Sequence, residues 1–464
     1  VSRNPVVEGK DLYNSVYFLA EGKIHFVQHK TLLPTYDIFD EYRYFEPANE
    51  FNVVEYKGKR IALTVCEDIW NIGNENPMYT ICPMDEMMPQ NPDFIINLSA
   101  SPFSYKQAKE RLNVVRANVN RYKIPMFYVN HVGAQTELIF DGGSIVMCAN
   151  GELFEEMSYF KEEIKSYELD HVLENKSIIG EQPKDKMTLI HDALITGVKD
   201  YFGKLGFKKA ILGLSGGIDS AVTLVVAARA LGAENMRVVL MPSQFSSDHS
   251  IKDARDLAEN LGVQYDIVPI KPIFETYMES LKTQFEGQPF NITEENLQAR
   301  SRGMILMAMS NKFGHIVLNT SNKSEAAVGY GTLYGDMCGG LSVIGDLYKT
   351  EVFELARYMN KDGEVIPENT IIKPPSAELR PDQKDSDSLP EYDILDEILF
   401  QYIEKRKGPK EIIAMDFEEA LVKRTLRLVN INEFKRYQTA PVLRISTKAF
   451  GMGRRVPIVA KYLS

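Results

Sequence analysis

The sequence predicts an α/β protein of two consecutive domains, a layered sandwich of sheet and helix over residues 1–175 and a doubly wound parallel sheet over residues 185–464. Three observations predict it. Up to about residue 169 the chain is a series of short β-branched or aromatic runs bounded by turn residues, with one clear helix among them. From about residue 187 the grammar changes to strands alternating with helices, the signature of parallel βαβ units. Between them lies a polar stretch, 170–186, with Pro183 and charges of alternating sign, which reads as a linker.

In the first part, strands are expected at 16–19, 23–27, 52–56, 60–65, 94–98, 126–129 and 144–147. Gly22, Gly58 and Gly151 stand in short polar turns, where a residue with positive φ reverses the chain between paired strands. The helix is expected at 105–122, between two strands, which argues against an all-β protein. In the second part, helices at 187–203, 220–231 and 250–261 alternate with strands at 210–214, 238–241 and 264–267. Ligands of such sheets bind beyond the carboxyl ends of the strands. One long segment, 366–390, carries five prolines and resists regular assignment. It is either a mobile surface loop or an active-site lid, since long structureless loops in compact domains are functional or disordered.

Composition narrows the function. The 464 residues are 44% hydrophobic and 25% charged, a globular profile with room for about two to three domains. No run of apolar residues reaches the ~18 needed to span a bilayer, so no membrane partner is expected. With 53 basic against 64 acidic residues the net charge is −11, which speaks against nucleic acid as a partner. The four cysteines, Cys66, Cys82, Cys148 and Cys338, have no metal-ligand spacing and suit a reducing, cytoplasmic setting. The chain starts at Val1 without the features of a signal peptide, and a start other than Met leads us to expect a longer natural protein.

The strongest local signal is Gly213, Leu214, Ser215, Gly216, Gly217, Ile218, Asp219 and Ser220, between an expected strand and an expected helix. Two glycines let the backbone wrap an anion, Ser215 and Ser220 can donate to phosphate oxygens, and the next helix points its positive end at the charge. A Walker A loop needs a Lys before its Ser or Thr, and none is here, so phosphoryl transfer of the kinase type is disfavoured. The loop resembles the pyrophosphatase loop of ATP-splitting, adenylate-forming ligases. Downstream, Glu295-Asn-Leu-Gln-Ala-Arg-Ser-Arg-Gly303, Val317-Leu-Asn-Thr-Ser-Asn-Lys-Ser-Glu325, Gly329-Tyr-Gly-Thr-Leu-Tyr-Gly-Asp336 and Lys349 are similar to the NAD⁺ synthetases. That resemblance implies a Rossmann-like, adenine nucleotide alpha hydrolase fold. It makes residues 213–220, Thr320 and Lys349 ATP-binding, Asp219 and Glu325 Mg²⁺ ligands, and Asn296, Glu325 and Lys435 binding groups for deamido-NAD. The chain departs from the single-domain, ammonia-using synthetases at Leu333 and Gly340, where those carry a Lys and an Asp. Arg454 and Arg455, near the end, read equally as solvated surface charge or as functional groups.

In the first domain, an apolar run ends in Cys66 followed at once by Glu67 and Asp68. A lone Cys at a strand end is more often a core residue than a nucleophile. With 29–45 upstream and Asn97-Leu-Ser-Ala-Ser-Pro-Phe103 downstream, however, the region resembles the nitrilase-like glutaminase domain of glutamine-dependent NAD⁺ synthetases, an αββα sandwich. The resemblance implies a Cys-Lys-Glu triad with Cys66 as nucleophile and Lys30 as oxyanion-holding cation, and Tyr36 and Ser101 in the glutamine pocket. The family's Glu belongs to an earlier strand. Glu8 and Glu21 stand in the wrong context for it, so the chain is expected to lack this residue and the segment that carries it, leaving ammonia-supported synthesis only. Gln107 stands where relatives carry a basic residue, with Lys106 beside it.

The resemblance covers essentially the whole chain and implies ATP-dependent amidation of deamido-NAD to NAD through an adenylated intermediate, the last step of NAD biosynthesis. Its substrates are deamido-NAD, ATP, and glutamine or ammonia, its cofactor is Mg²⁺, and a homo-oligomer is implied. Two rivals stand beside it. A guanylate or asparagine synthetase shares only the loop at 213–220. A nucleotide-binding regulator without catalysis would be expected to have lost Asp219 or Glu325, and both are present.

Overall fold

The structure is a computed structural model that describes residues 1–5, 9–76, 78–175, 185–381 and 383–459. Its contacts divide the chain into two compact units, Val1–Gly133 with Ile139–Lys184, and Ala134–Leu138 with Asp185–Ser464. The middle of the expected linker, with Pro183, lies outside the described residues, as does Glu8.

The first unit is built on a mixed six-stranded sheet in the order Leu153–Glu156, Ile145–Met147, Met126–Asn130, Phe94–Ser99, Lys59–Val65 and Val53–Tyr56. Its three central strands run parallel and the flanking ones antiparallel. Side chains alternate between faces with period two. Ala62, Ile95 and Met126 therefore join Val115 and Val119 of the helix Gln107–Tyr122 in one core. Ile61, Leu63, Val65 and Phe94 pack on the opposite face with Val16, Phe18 and Phe26 of the hairpin Ser15–Ala20/Lys23–His29. The helix starts two residues later than expected, at Gln107, with Tyr105 and Lys106 in the preceding turn. Gly22, Gly58 and Gly151 have φ of 73°, 72° and 85°, as reversing turns require. The hairpin Val132–Gln135/Leu138–Asp141 and the edge strand Leu153–Glu156 have no counterpart in the sequence reading, because they are only four residues each and lack a clear alternation.

The second unit holds a five-stranded, all-parallel sheet in the order Gln264–Ile267, Met236–Leu240, Ala210–Gly213, Ile316–Asn319 and Leu341–Ser342. The helix Ile218–Leu231 is apolar nearly all round because it is covered on every side: the sheet lies beneath it, and Lys186–Leu205 and Lys349–Met359 pack against it. The opposite face carries Leu306 of the helix Ile292–Phe313, packed with Ile211, Val239 and Val317. Strand order reverses at Ala210–Gly213, so the loop after this strand and the loop after Ile316–Asn319 open a crevice at the carboxyl ends of adjacent strands. Among the described residues no helix is long and apolar enough to cross a membrane.

Candidate active sites

In the second unit, the crevice is a cavity of about 300 Å³. Gly213, Leu214, Ser215, Gly217, Ile218, Asp219, Ser220, Thr320, Glu325 and Lys349 all line it. Gly216 belongs to the same loop and has φ +81°; a β-carbon there would meet the Ser250 carbonyl oxygen at 2.2 Å, so only glycine fits. The loop is shaped by its own hydroxyls. Gly217 N–H donates to Ser215 Oγ at 3.1 Å, and Ser220 Oγ donates to the Gly217 carbonyl at 3.0 Å. Gly217 then caps the helix Ile218–Leu231, leaving N–H groups of its first turn aimed at the cavity.

Charge converges at Lys349, whose Nζ pairs with Asp219 and reaches Glu325 Oε1 at 3.5 Å. Asn322 orients both acids: its Nδ2 donates to Asp219 Oδ1 at 2.9 Å, and its Oδ1 accepts the Glu325 N–H at 2.9 Å at the start of the helix Lys323–Val328. Burial, with Asp219 nearby, pushes the Glu325 carboxyl up to about 8 despite the attraction of Lys349. Burial works against the Lys349 ammonium, yet Asp219 and Glu325 more than offset it and raise its pKa. Asp385 also lines the cavity, held by Tyr330 at 3.2 Å and Tyr392 at 2.9 Å.

Among the described residues no three His, Cys, Asp or Glu side chains are grouped to hold a metal by themselves. The two carboxylates Asp219 and Glu325 nonetheless suit an oxygen-loving cation that takes its other ligands from phosphates and water. The segment 366–390 is part of the site: Thr370, Lys373, Glu378, Leu379 and Asp385 line the cavity, and Glu378 accepts from Ser247 Oγ and Ser250 Oγ at 2.9 and 2.7 Å. Two expected residues lie outside the cavity wall. Asn296 Oδ1 accepts from Thr332 Oγ1 at 2.7 Å, and Lys435 Nζ donates to the carbonyls of Gly329 and Gly331, both at 2.8 Å. They brace the loop whose Tyr330, Gly335 and Asp336 line the cavity. Burial lowers the pKa of Lys435.

In the first unit, the strand Lys59–Val65 delivers Cys66 at φ +48°, an unusual conformation for a non-glycine residue that turns the chain sharply and breaks the strand's alternation at the thiol. Asp68, buried, ties this turn to the segment after Lys30: its Oδ1 accepts the Thr31 and Leu32 N–H groups at 3.0 and 2.9 Å, and its Oδ2 accepts Val65 N–H at 3.0 Å. One carboxylate therefore fixes the residues flanking both Cys66 and Lys30. Burial pushes the Asp68 carboxyl up to about 6, against the backbone donors and Lys30.

Lys30 is wholly buried and bonds both oxygens of Glu41, at 2.7 and 2.8 Å. Burial penalises its charge, but Cys66 and Glu41 raise the pKa overall. Burial likewise raises the Cys66 thiol, against the pull of Lys30. Tyr36 donates to Glu67 Oε1 at 3.0 Å, beside Tyr79 at 2.8 Å, and the Ser101 N–H donates to Asn130 Oδ1 at 3.0 Å. Lys30 and Glu41 thus form a part-buried ion pair whose charges act on the Cys66 thiol, and Tyr36 bonds Glu67, the residue after Cys66. Glu41 and Asp68 escaped the sequence reading, although the two acids directly after Cys66 and the acids at 40–41 were visible. Glu21 sits at the exposed tip of the hairpin, away from this group. Cys82 and Cys148 are buried in the core. Cys338 lines the cavity of the second unit.

Comparison with known proteins gives a family for each of the two parts of the chain. Residues 1–175 match the carbon–nitrogen hydrolase family and residues 190–439 the NAD synthase family. The glutamine-dependent NAD(+) synthetase of Synechocystis sp. is 46% identical over 98% of the chain and 82% of its own length. That of Thermotoga maritima is 42% identical over 98% and 84%. Among solved structures, the glutamine-dependent NAD+ synthetase of Acinetobacter baumannii in complex with ADP is 39% identical, with a TM-score of 0.73 over 98% of this chain and 83% of that one. The enzyme from Cytophaga hutchinsonii, 21% identical with a TM-score of 0.81 over 97% and 82%, shares the fold. The chain belongs to the glutamine-dependent NAD(+) synthetases.

Proposed function

We propose that the two sites divide one ligase reaction between them. The chain is a carbon–nitrogen ligase that amidates deamido-NAD to NAD with ATP, drawing ammonia from glutamine. In the first unit Cys66 Sγ attacks the glutamine carboxamide carbon, the carbon–nitrogen bond breaks, and ammonia leaves with the thiol proton. Water then cleaves the thioester to glutamate. Lys30 steadies the oxyanion of each tetrahedral stage, and Glu41 keeps it charged and aimed; where the sequence led us to expect ammonia-supported synthesis only, this carboxylate paired with Lys30 supports glutamine hydrolysis as the expected outcome. Tyr36 and Ser101 line the glutamine pocket.

In the second unit the nicotinate carboxylate attacks the α-phosphorus of ATP and pyrophosphate leaves. The nitrogen of ammonia then displaces AMP from the acyl carbon, a step a bare carboxylate would not allow because it lacks a good leaving group. The loop 213–220 receives the pyrophosphate on its N–H groups and hydroxyls, and Lys349 and Thr320 bind the triphosphate. Asp219 and Glu325 would hold a Mg²⁺, which would supply positive charge against the departing pyrophosphate. Asn296 and Lys435 hold the deamido-NAD side through the loop they brace. We also infer a homo-oligomer in the cytoplasm, as the resemblance of the sequence implies, and sedimentation of the full chain tests the first of these.

The observation that carries this reading is the convergence of Asp219, Glu325 and Lys349 on a glycine loop at the switch point of a parallel sheet. The test is AMP release with ammonium and ATP. Stimulation by deamido-NAD is expected, and stimulation by xanthylate or aspartate instead would refute it.

A further inference from the structure

The helices that carry Glu325 and Lys349 are joined by a third carboxylate. Lys349 N–H donates to Ser324 Oγ at 2.9 Å, Ser324 Oγ–H donates to Asp396 Oδ1, and Asp396 Oδ2 accepts Thr350 N–H at 2.9 Å. The helix Lys349–Met359 begins at Tyr348, whose own side chain makes no capping bond. Two of the orphan donors at its start are therefore satisfied from outside, by the residue beside Glu325 and by Asp396. Ser324, Lys349 and Asp396 are all buried. Asp396 has no room to withdraw: its helix, Tyr392–Ile403, packs Leu395, Leu399 and Ile403 against Ala327, Val328 and Tyr348.

We propose that Asp396, acting through Ser324, is a positioning residue of the synthetase site that sets the spacing between Glu325 and Lys349. The chemistry gives the relay one direction. An ionised carboxylate only accepts, so Ser324 must turn its proton toward Asp396, which leaves a lone pair for Lys349 N–H. A shift at either helix start moves Lys349 Nζ, the group that binds the triphosphate, relative to Asp219 and Glu325, its two carboxylate partners. An amide at 396 cannot reproduce the arrangement, because it offers an oxygen to one partner and an N–H to the other.

The proposal rests on Lys349 being an ATP-binding group. The test measures ammonia-supported synthesis by the full chain at temperatures well below melting, with ATP varied. Asp396→Asn is expected to lower kcat/KM for ATP at least about tenfold, with kcat falling as well as KM rising. Ser324→Ala, which removes both the acceptor of Lys349 N–H and the donor to Asp396 but leaves the carboxylate on Thr350 N–H, is expected to move the same parameters in the same direction. In a Lys349→Ala background, Asp396→Asn is expected to add less than about twofold, since it acts through the lysine. Full multiplication of the two losses, or single variants within about twofold of the parent, would overturn the proposal. Should Asp396→Asn fail to fold, Ser324→Ala decides alone by the same criterion. If Lys349→Ala itself leaves kcat/KM for ATP unchanged, the assignment of Lys349 fails instead, a result distinct from failure of Asp396.

Discussion

Replacing Gly216 by alanine separates the two units' activities by a purely steric change. Its φ of +81° costs a side-chain-bearing residue about 1–2 kcal/mol. The larger effect is positional. A β-carbon would stand 2.2 Å from the carbonyl oxygen of Ser250, 2.8 Å from its carbonyl carbon and 2.9 Å from its Cα, all backbone of the helix Asp248–Leu261. Real β-carbons essentially never come closer than 3.0 Å. On the other side of the loop the Gly216 carbonyl accepts from Thr370 Oγ1 at 3.4 Å. Loop and helix must therefore part by about 0.8 Å, the scale at which misplacing a reacting group costs roughly 10²-fold in rate. That loss corresponds to about 2.7 kcal/mol of transition-state stabilisation. Gly217→Ala is the control: its φ is −81°, and its β-carbon would meet only Ser215 Oγ, at 3.2 Å, a side chain and not the backbone of a helix. The assay is pyrophosphate release with deamido-NAD and saturating ammonium, ATP varied, alongside glutamate release from glutamine. Gly216→Ala should lose roughly 10²-fold in kcat/KM for ATP, with Gly217→Ala well above it. Equal losses in the two variants, or a Gly216→Ala enzyme within about threefold of the parent, would refute the reasoning.

Cys66→Ala is expected to abolish glutamine-supported synthesis while ammonia-supported synthesis stays within about twofold; equal loss of both would contradict a separate glutaminase role. Asp219→Asn should depress synthesis from either nitrogen source by roughly 10²-fold or more, and retention of either would refute its role beside Lys349. Glu41→Gln removes the charged acceptor of a wholly buried Lys30 and should slow glutamate release roughly 10–100-fold, read by coupled assay; an unchanged rate would show that Lys30 needs no carboxylate. Asp68→Asn puts an amide N–H against a backbone donor and should cost roughly 1–3 kcal/mol in denaturant unfolding at pH 7. The native Asp68 carboxyl, at about 6, lies above its value of ~3.9 in the unfolded chain. The folded state therefore binds the extra proton, and this residue's contribution to stability falls as pH rises from about 4 to about 6 and is flat above. The difference between parent and variant should carry that slope, and a difference independent of pH over the window would refute it.

Much of the fold was legible because it is local. Ala210–Gly213, Ile218–Leu231 and Met236–Leu240 follow from runs of apolar residues and the turns that end them. The loop within 213–220 was legible for the same reason, its residues standing consecutively between the end of a strand and the start of a helix. What escaped were the groups that act across the chain: Glu41 on Lys30, Asp68 on Thr31 and Leu32, Asn322 on Asp219, and Asp396 on Ser324. A carboxylate that accepts backbone N–H groups dozens of residues away leaves no period in the sequence, and surface acids outnumber it. Resemblance named Lys435 and Asn296 without geometry, and their bonds to Gly329, Gly331 and Thr332 show a bracing role that spacing alone does not reveal. The segment 366–390 was open between loop and lid, and several of its described residues stand on the cavity wall.

The sharp turn at Cys66 sets activity against stability. A side chain at φ +48° costs about 1 kcal/mol or more that glycine would not incur, although glycine returns part of this through its greater freedom in the unfolded chain. Selection for a robust fold alone has no reason to keep a β-carbon there; selection for a nucleophile does. Library screens on thermal tolerance would thus drift toward glycine at this position and deliver sturdy proteins dead toward glutamine, while screens that feed ammonia would not notice the loss.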